Sequence, residues 1–217
     1  METVSFSVLE LFNLGGIFMW PLLFFSIATI AISLERAVYL FYHNLRLDDL
    51  ALKASEFAQN GDYSGAVEYL SPLTKRRMGA RILLALFKRS GQGFSEHRAE
   101  KAVETEAMNC MHSLENGFNF LTALGSLSPL TGFLGTVSGM IGAFRSIAEA
   151  TEVNAQIVAN GIYEALITTV FGLIIAIIAM IFHSIFSHIV DKFASKVEGV
   201  CSDLIAQIAE RTESGKR

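Results

Sequence analysis

Residues 116–144 read NGFNFLTALGSLSPLTGFLGTVSGMIGAF, a run without one charged side chain. It is longer than the roughly 18 apolar residues that mark a membrane-crossing helix. Its glycines are periodic. Gly125, Gly132 and Gly139 recur every seven residues, and the series continues to Ser146; Ser128, Gly135 and Gly142 form a second series offset by three. Together they lay an a/d-type stripe of small residues along one helix face. In lipid, such a stripe lets two backbones approach closely and is a common basis of helix association. The sequence therefore predicts that another helix, from the same chain or another copy, packs hard against this face.

Residues 16–34 and 165–190 are equally free of charge. Three runs of this length do not fit a soluble fold. The composition agrees: of 217 residues, 52% are hydrophobic, 17 are Phe and only 18% are charged, against about 25% in a soluble domain. Mean hydropathy is +0.43. Such a chain is too apolar to be disordered. With two cysteines it is no disulfide scaffold, and a net charge of −4 offers no nucleic-acid surface. Residues 1–35 do not read as a signal peptide, because they carry Glu2 and Glu10 rather than Lys or Arg, and Glu35-Arg36 follows the apolar run with no small-residue cleavage site. The expected fold is an all-α integral membrane protein with three transmembrane helices.

Charge sets the orientation. Residues 1–35 hold no Lys or Arg, 36–115 are rich in both, Arg145 stands alone between the second and third runs, and Lys192, Lys196, Arg211, Lys216 and Arg217 close the chain. By the positive-inside rule the 36–115 segment and the tail are cytoplasmic. The expected organisation is an outward-facing segment 1–15, a first transmembrane helix 16–42, a cytoplasmic helical region 43–115, a second transmembrane helix 116–147, an outward loop 148–156, a third transmembrane helix 157–190 and a cytoplasmic tail 191–217. Cys110 and Cys201 then fall where thiols stay reduced and read as small core residues.

The cytoplasmic region reads as helices. Asp48 is placed to cap one that ends at Asn60-Gly61, a short one runs to Ser71-Pro72, and another covers Leu73 to Ser90. Ser95 is placed to cap a helix running to about Ser146, with Pro129 the one break signal. That helix and the third one, which runs from about Asn154 past His188 toward Ile208, extend far out of the bilayer.

Polar residues inside the runs are the functional candidates. Thr131, Thr136 and Ser138 lie in the second, Thr168 and Thr169 in the third. A lone Thr satisfies itself on its own helix, but two spans with Thr at mid-depth suit a narrow hydrated path. Glu164 sits at the outer end of the third run. Two readings of it stay open: a proton-exchanging carboxylate if desolvated, or a wet structural group at headgroup depth. Arg145 has Glu149 and Glu152 within reach, Glu35-Arg36 reads as an interfacial anchor, and His183 and His188 lie near the inner end of the third run. Pro129 reads either as a passive bend or as one that shapes a pore. HExxH, Walker, GxSxG and CxxC motifs are absent, so neither an enzyme, a metal site nor a cofactor is expected.

Ser128-Pro-Leu-Thr-Gly-Phe-Leu-Gly-Thr-Val-Ser-Gly-Met140 and Asn160-Gly-Ile-Tyr-Glu-Ala-Leu-Ile-Thr-Thr-Val-Phe-Gly-Leu173 resemble the paired signature of the MotA/TolQ/ExbB proton-channel family, roughly PxxGLxGTVxGM followed by GIxEALxxTxxGL. Three runs and a large inner loop are closer to its ExbB/TolQ branch than to MotA. The resemblance implies that Thr136, Thr169 and Glu164 line a proton pathway. It also implies that Pro129, Gly132, Gly135, Gly139 and Gly172 serve packing or bending. It implies a homopentameric stator in the bacterial inner membrane, N-terminus periplasmic and C-terminus cytoplasmic. The partners implied are a single-span dimer resembling ExbD or TolR inside the pore, which carries the titrating Asp, and a TonB- or TolA-like protein beyond it. Phe133, Thr131, Asn160 and Ile177-Ile178 depart from the pattern without removing a pore residue. The implied function is ExbB-like energising of TonB-dependent transport. A TolQ-like role in the Tol-Pal envelope system and a non-conducting membrane scaffold are the alternatives.

Overall fold

The computed structural model describes residues 8–91, 95–149 and 155–214, and among them every regular element is helical. The helices are α1 (Val8–Leu14), α2 (Met19–Tyr42), α3 (Asp48–Asn60), α4 (Tyr63–Leu70), α5 (Met78–Ser90), α6 (Glu96–Glu115), α7 (Phe118–Glu149) and α8 (Ala155–Ser214), with a 3-10 turn over Ser71–Lys75 between α4 and α5. Three stretches are long and apolar enough to cross a membrane: Met19–Tyr42, one within Glu96–Glu149 and one within Gly161–Ser214. The chain divides into two units, Met1–Glu35 with Gly117–Ile185, and Arg36–Asn116 with Phe186–Arg217.

The first unit is packed inside out by the standard of a soluble protein. On α2 the inward face carries Met19, Leu22, Thr29 and Ser33, all nearly inaccessible, while Trp20, Phe24, Ile27, Ile30 and Leu34 are exposed. On α7 Phe118, Leu121 and Leu124 are buried near its start, but from Gly125 on the buried positions are Gly125, Ser128, Gly132, Gly135 and Ala143, while Phe133, Leu134, Ile141 and Phe144 are exposed. Small and hydroxyl-bearing residues inside with large apolar ones outside is the pattern hydrocarbon selects. Met19 and Leu22 of α2 close against Ile167 and Ile175 of α8, with Phe12, Phe25 and Phe171 packed around them.

The second unit is packed the ordinary way. Ile82, Leu83, Leu86 and Phe87 of α5 are fully buried together with Leu47, Leu50 and Leu70. Arg81 ties α5 to α6 through Glu106 at 2.6 Å. The last stretch of α8 turns Phe186, Val190, Phe193, Val197, Cys201, Leu204 and Ile208 inward at helical spacing. Beside it runs α3: Lys196 meets Asp48 at 2.5 Å, Gln207 accepts from Ser55 at 2.9 Å, and Arg211 donates to the carbonyls of Gln59 and Asn60. A guanidinium on the last carbonyls of α3 complements the negative end of its dipole. Gly61 ends that helix in the left-handed region, at φ 69°, as Asn60-Gly61 predicted. Cys110 and Cys201 are buried free thiols.

Three local expectations are corrected: the Ser95–Ser146 helix, the Asp48 cap and the Leu73 start. The single helix from Ser95 to Ser146 is two, because Gly117 takes φ 90° after an extended Asn116 and the chain leaves helical geometry there. Pro129, the one break signal in that stretch, lies inside α7. Asp48 is the first helical residue rather than the cap; Leu47 precedes it, and the Asp48 carboxylate is held by Lys196. The third expected start, Leu73, belongs to the 3-10 turn, and α5 begins at Met78 because Arg77 is extended, reaching Asp49 with both terminal nitrogens at 2.6 Å. Residues 150–154 of the expected outward loop lie outside the described residues.

Candidate functional site

The predicted small-residue seam is where α7 meets α8, in antiparallel sense. A Cβ on Gly132 would stand 2.8 Å from the Thr168 carbonyl, and one on Gly172 2.5 Å from the Ser128 carbonyl; neither backbone atom can yield cheaply. Gly139 faces Ala165 at 3.0 Å, Gly125 faces Met180 at 3.0 Å, and Gly161 on α8 faces Ala143 at 2.6 Å. The seam drifts. Gly142 has nothing within 4 Å, and Ala143 holds the place that the heptad assigned to it. A straight helix turns about 20° per heptad away from a seven-residue repeat, so over the two heptads from Ser128 to Gly142 the series has swung about 40° off the contact. Ser146 is exposed for the same reason.

At mid-seam three hydroxyls converge on one carbonyl. Gly132 O accepts from Thr169 Oγ1 at 3.1 Å, from Thr168 Oγ1 at 3.3 Å and from Thr136 Oγ1 at 3.3 Å. Thr136 and Thr169 are hydrogen-bonded to each other across the helix pair. Ala165 O accepts from Thr168 at 2.8 Å and from Thr136 at 3.2 Å. Glycine at 132 and 135 makes this possible, since any side chain there would occupy the space of Thr168. Thr168 is buried, whereas Thr136 and Thr169 are partly open.

Each hydroxyl has one proton and two lone pairs. If Thr136 donates to Thr169, Thr169 donates to Gly132 O; if Thr169 donates, Thr136 turns to Gly132 O or Ala165 O. The same four oxygens thus support hydrogen bonds running in either direction. A group passing the open side finds a donor or an acceptor after rotation of two C–O bonds, with no backbone movement.

The expected site residues divide. Thr136 and Thr169 come together, and Gly132, Gly135, Gly139 and Gly172 build the contact that joins them. Glu164 is exposed and stands elsewhere: its carboxylate lies against Gly16, and it lines a groove of about 440 Å³ with Gly15, Phe18, Ser138, Gly139 and Gly142. Gly16 has φ 68°, and a Cβ there would strike the Glu164 carboxylate. Arg145 pairs with Glu149 at 2.8 Å. His183 stacks edge-on against Phe118, the centroids 5.9 Å apart. Two residues escaped the sequence reading. Thr29 and Ser33 of α2 are buried, and their hydroxyls have no hydrogen-bond partner among the described residues; their spacing of four in an apolar run was the available signal. Among the described residues no cluster of three His, Cys, Asp or Glu is placed to hold a metal.

Residues 74–199 match the model of the MotA/TolQ/ExbB proton channel family. An ExbB-like biopolymer transport protein of Synechocystis is 32% identical over 174 residues, 79% of this chain and 81% of that one. The biopolymer transport protein exbB1 of Vibrio cholerae is 29% identical over 189 residues, 84% of this chain and 80% of its own length. The Tol-Pal system protein TolQ of Haemophilus influenzae is 46% identical over a shorter stretch of 70 residues, 32% of this chain and 31% of that protein.

Proposed function

Because the chain belongs to the MotA/TolQ/ExbB proton channel family, whose members are channel proteins and not enzymes, we propose that it is the ring-forming subunit of an inner-membrane stator. In this reading several copies, as a homopentamer, surround a dimer of a single-span protein resembling ExbD or TolR. The N-terminus is periplasmic and the tail cytoplasmic. Thr136 and Thr169 face the partner's ionisable group, and Glu164 lies toward the outer mouth. Pro129 bends α7 around the pore. The observation that carries the reading is the Thr136–Thr169 pair bridging α7 and α8 within the family's two signature stretches.

The physics follows from that pair. A proton falling through 100 mV releases about 2.3 kcal/mol. A carboxylate in a narrow pore is costly unless donors meet it, and its protonated form needs an acceptor. Hydroxyls that serve as either keep the two protonation states close in energy, so the partner is held weakly in both and can step between copies. The motion is passed to a TonB-like protein, and the output is energised transport across the outer membrane. The ExbB relatives matched over most of the chain favour this output. The TolQ match, higher in identity over its shorter stretch, supports a Tol-Pal role as the second reading. Co-purification with a TonB-like or a TolA-like protein separates them.

The test is proton flux into vesicles holding the chain and its single-span partner. Thr136→Val and Thr169→Val each lower flux at least tenfold while the native mass of the complex stays that of wild type, and Thr→Ser restores it. Wild-type flux in both valine variants removes the pore assignment and leaves a non-conducting scaffold.

A further inference from the structure

Where the apolar part of α8 ends, the second unit opens a groove of about 1170 Å³ between the last turn of α2, the chain around Arg46, the 3-10 turn and α8 from Phe186 to Lys196. Its walls are of two kinds. Phe41 and Ile189 are exposed apolar side chains, Phe41 at 91%. Arg46, Arg76 and Lys192 are exposed cations at the same opening.

The other two cations of the groove are already engaged. Arg77 is held by Asp49, and Lys196 by Asp48. Asp191, beside Lys192, accepts from Ser187 at 3.4 Å. Among the described residues no carboxylate pairs with Arg46, Arg76 or Lys192. The Arg76 guanidinium lies 5.9 Å from the Tyr42 ring centroid, which steadies it by a cation–π contact.

We propose that this groove binds an anionic phospholipid of the leaflet at the inner end of the spans, phosphate on Arg46, Arg76 and Lys192 and acyl chains along Phe41 and Ile189. A free phosphate would use the cations and leave the apolar wall wet. A zwitterionic lipid would use the wall and meet the cations with its phosphate, but it would bring a further positive charge beside them. Only an anionic amphiphile satisfies both halves, and its two parts follow the order of the chain, in which the last apolar turns of a span precede the first cations. The proposal rests on the inner-membrane topology above, but its readout needs no flux: wild-type flux in the Thr variants with lipid still retained would sink the channel role and spare this site.

The experiment is native mass spectrometry of the full-length complex, extracted in detergent and exposed to equal amounts of phosphatidylglycerol and phosphatidylcholine of the same chain length. Phosphatidylglycerol is retained about tenfold over phosphatidylcholine. Arg46→Gln/Arg76→Gln/Lys192→Gln lowers its retention about a hundredfold, about fivefold per lost cation. Lys88→Gln/Arg89→Gln/Lys101→Gln, which removes as many charges outside the groove, leaves it unchanged. Phe41→Asn keeps every cation, guards against misfolding of the triple variant, and weakens lipid retention severalfold. Equal retention of the two lipids, or of phosphatidylglycerol by wild type and the first triple variant, overturns the proposal. So does displacement of the lipid by millimolar inorganic phosphate with Phe41→Asn silent, which would make this a free-phosphate site.

Discussion

Helices α5 and α7 are both amphipathic, in opposite senses. α5 buries Ile82, Leu83, Leu86 and Phe87 and keeps Lys88 and Arg89 in its last turn. α7, past the buried Phe118, Leu121 and Leu124 of its first turns, buries Gly125, Ser128, Gly132 and Gly135 and shows Phe133, Leu134 and Phe144 outward. For α5 the gain is removal of apolar area from water, about 25 cal/mol per Å². For α7 hydrocarbon offers no such gain, and association rests on close packing and on hydroxyls bonded across the pair. The two helices therefore fail in different ways: α5 breaks when a side chain is removed, α7 when one is added.

The largest expected effect tests the first half. Phe87→Ala, at a fully buried position, costs about 3–5 kcal/mol through lost burial and the cavity it leaves. Phe133→Ala, at a position 62% exposed on α7, costs under about 1 kcal/mol. Thermal unfolding of the full chain in detergent reads both. Equal losses would mean that α7 hides its phenylalanine as a soluble helix does.

The second half is tested by adding a methyl group. Gly172→Ala puts a Cβ 2.5 Å from the Ser128 carbonyl and costs about 1–3 kcal/mol as α7 and α8 are forced apart. Gly199→Ala lies on the same helix with nothing within 4 Å, and there the helix gains about 0.5–1 kcal/mol. Opposite signs from one substitution type on one helix are the signature of the seam. Two changes of the same sign in the unfolding midpoint would contradict it.

The seam was legible because its cause is local: glycine at heptad spacing in an uncharged run has few other uses. Its drift onto Ala143 was not, since the seven-residue pattern conceals the mismatch with a helix of 3.6 residues per turn. The helix stop at Asn116-Gly117 was written in the same pair that correctly ended α3 at Asn60-Gly61; the surrounding apolar periodicity outweighed it. Glu164 was legible as a residue but not as a place, because its neighbour Gly16 lies far away in the chain. The convergence of Thr136, Thr168 and Thr169 on Gly132 O required the register of two helices, which composition does not carry. Thr29 and Ser33 are not legible as buried from the sequence, because which face of α2 turns inward depends on its packing against Ile167 and Ile175 of α8.

The smallest effect sharpens the contrast from the water-facing side, where charge rather than packing joins elements. Arg77 holds Asp49 through two hydrogen bonds and donates also to the Arg46 carbonyl at 3.0 Å. The Arg77 guanidinium keeps the Asp49 carboxyl below its usual range. A carboxyl depressed in the folded state contributes stability that is present above the unfolded pKa, near 3.9, and is lost as pH falls through the folded value. Asp49 is exposed, so the pair is screened and worth at most about 0.5 kcal/mol. At pH 7 Asp49→Asn should therefore lower the unfolding midpoint slightly. Below about pH 4 the wild type loses the same contribution, and the two curves converge; raising the salt at pH 7 narrows the gap in the same direction. A difference that widened on acidification would show that Asp49 acts through something other than its charge on Arg77.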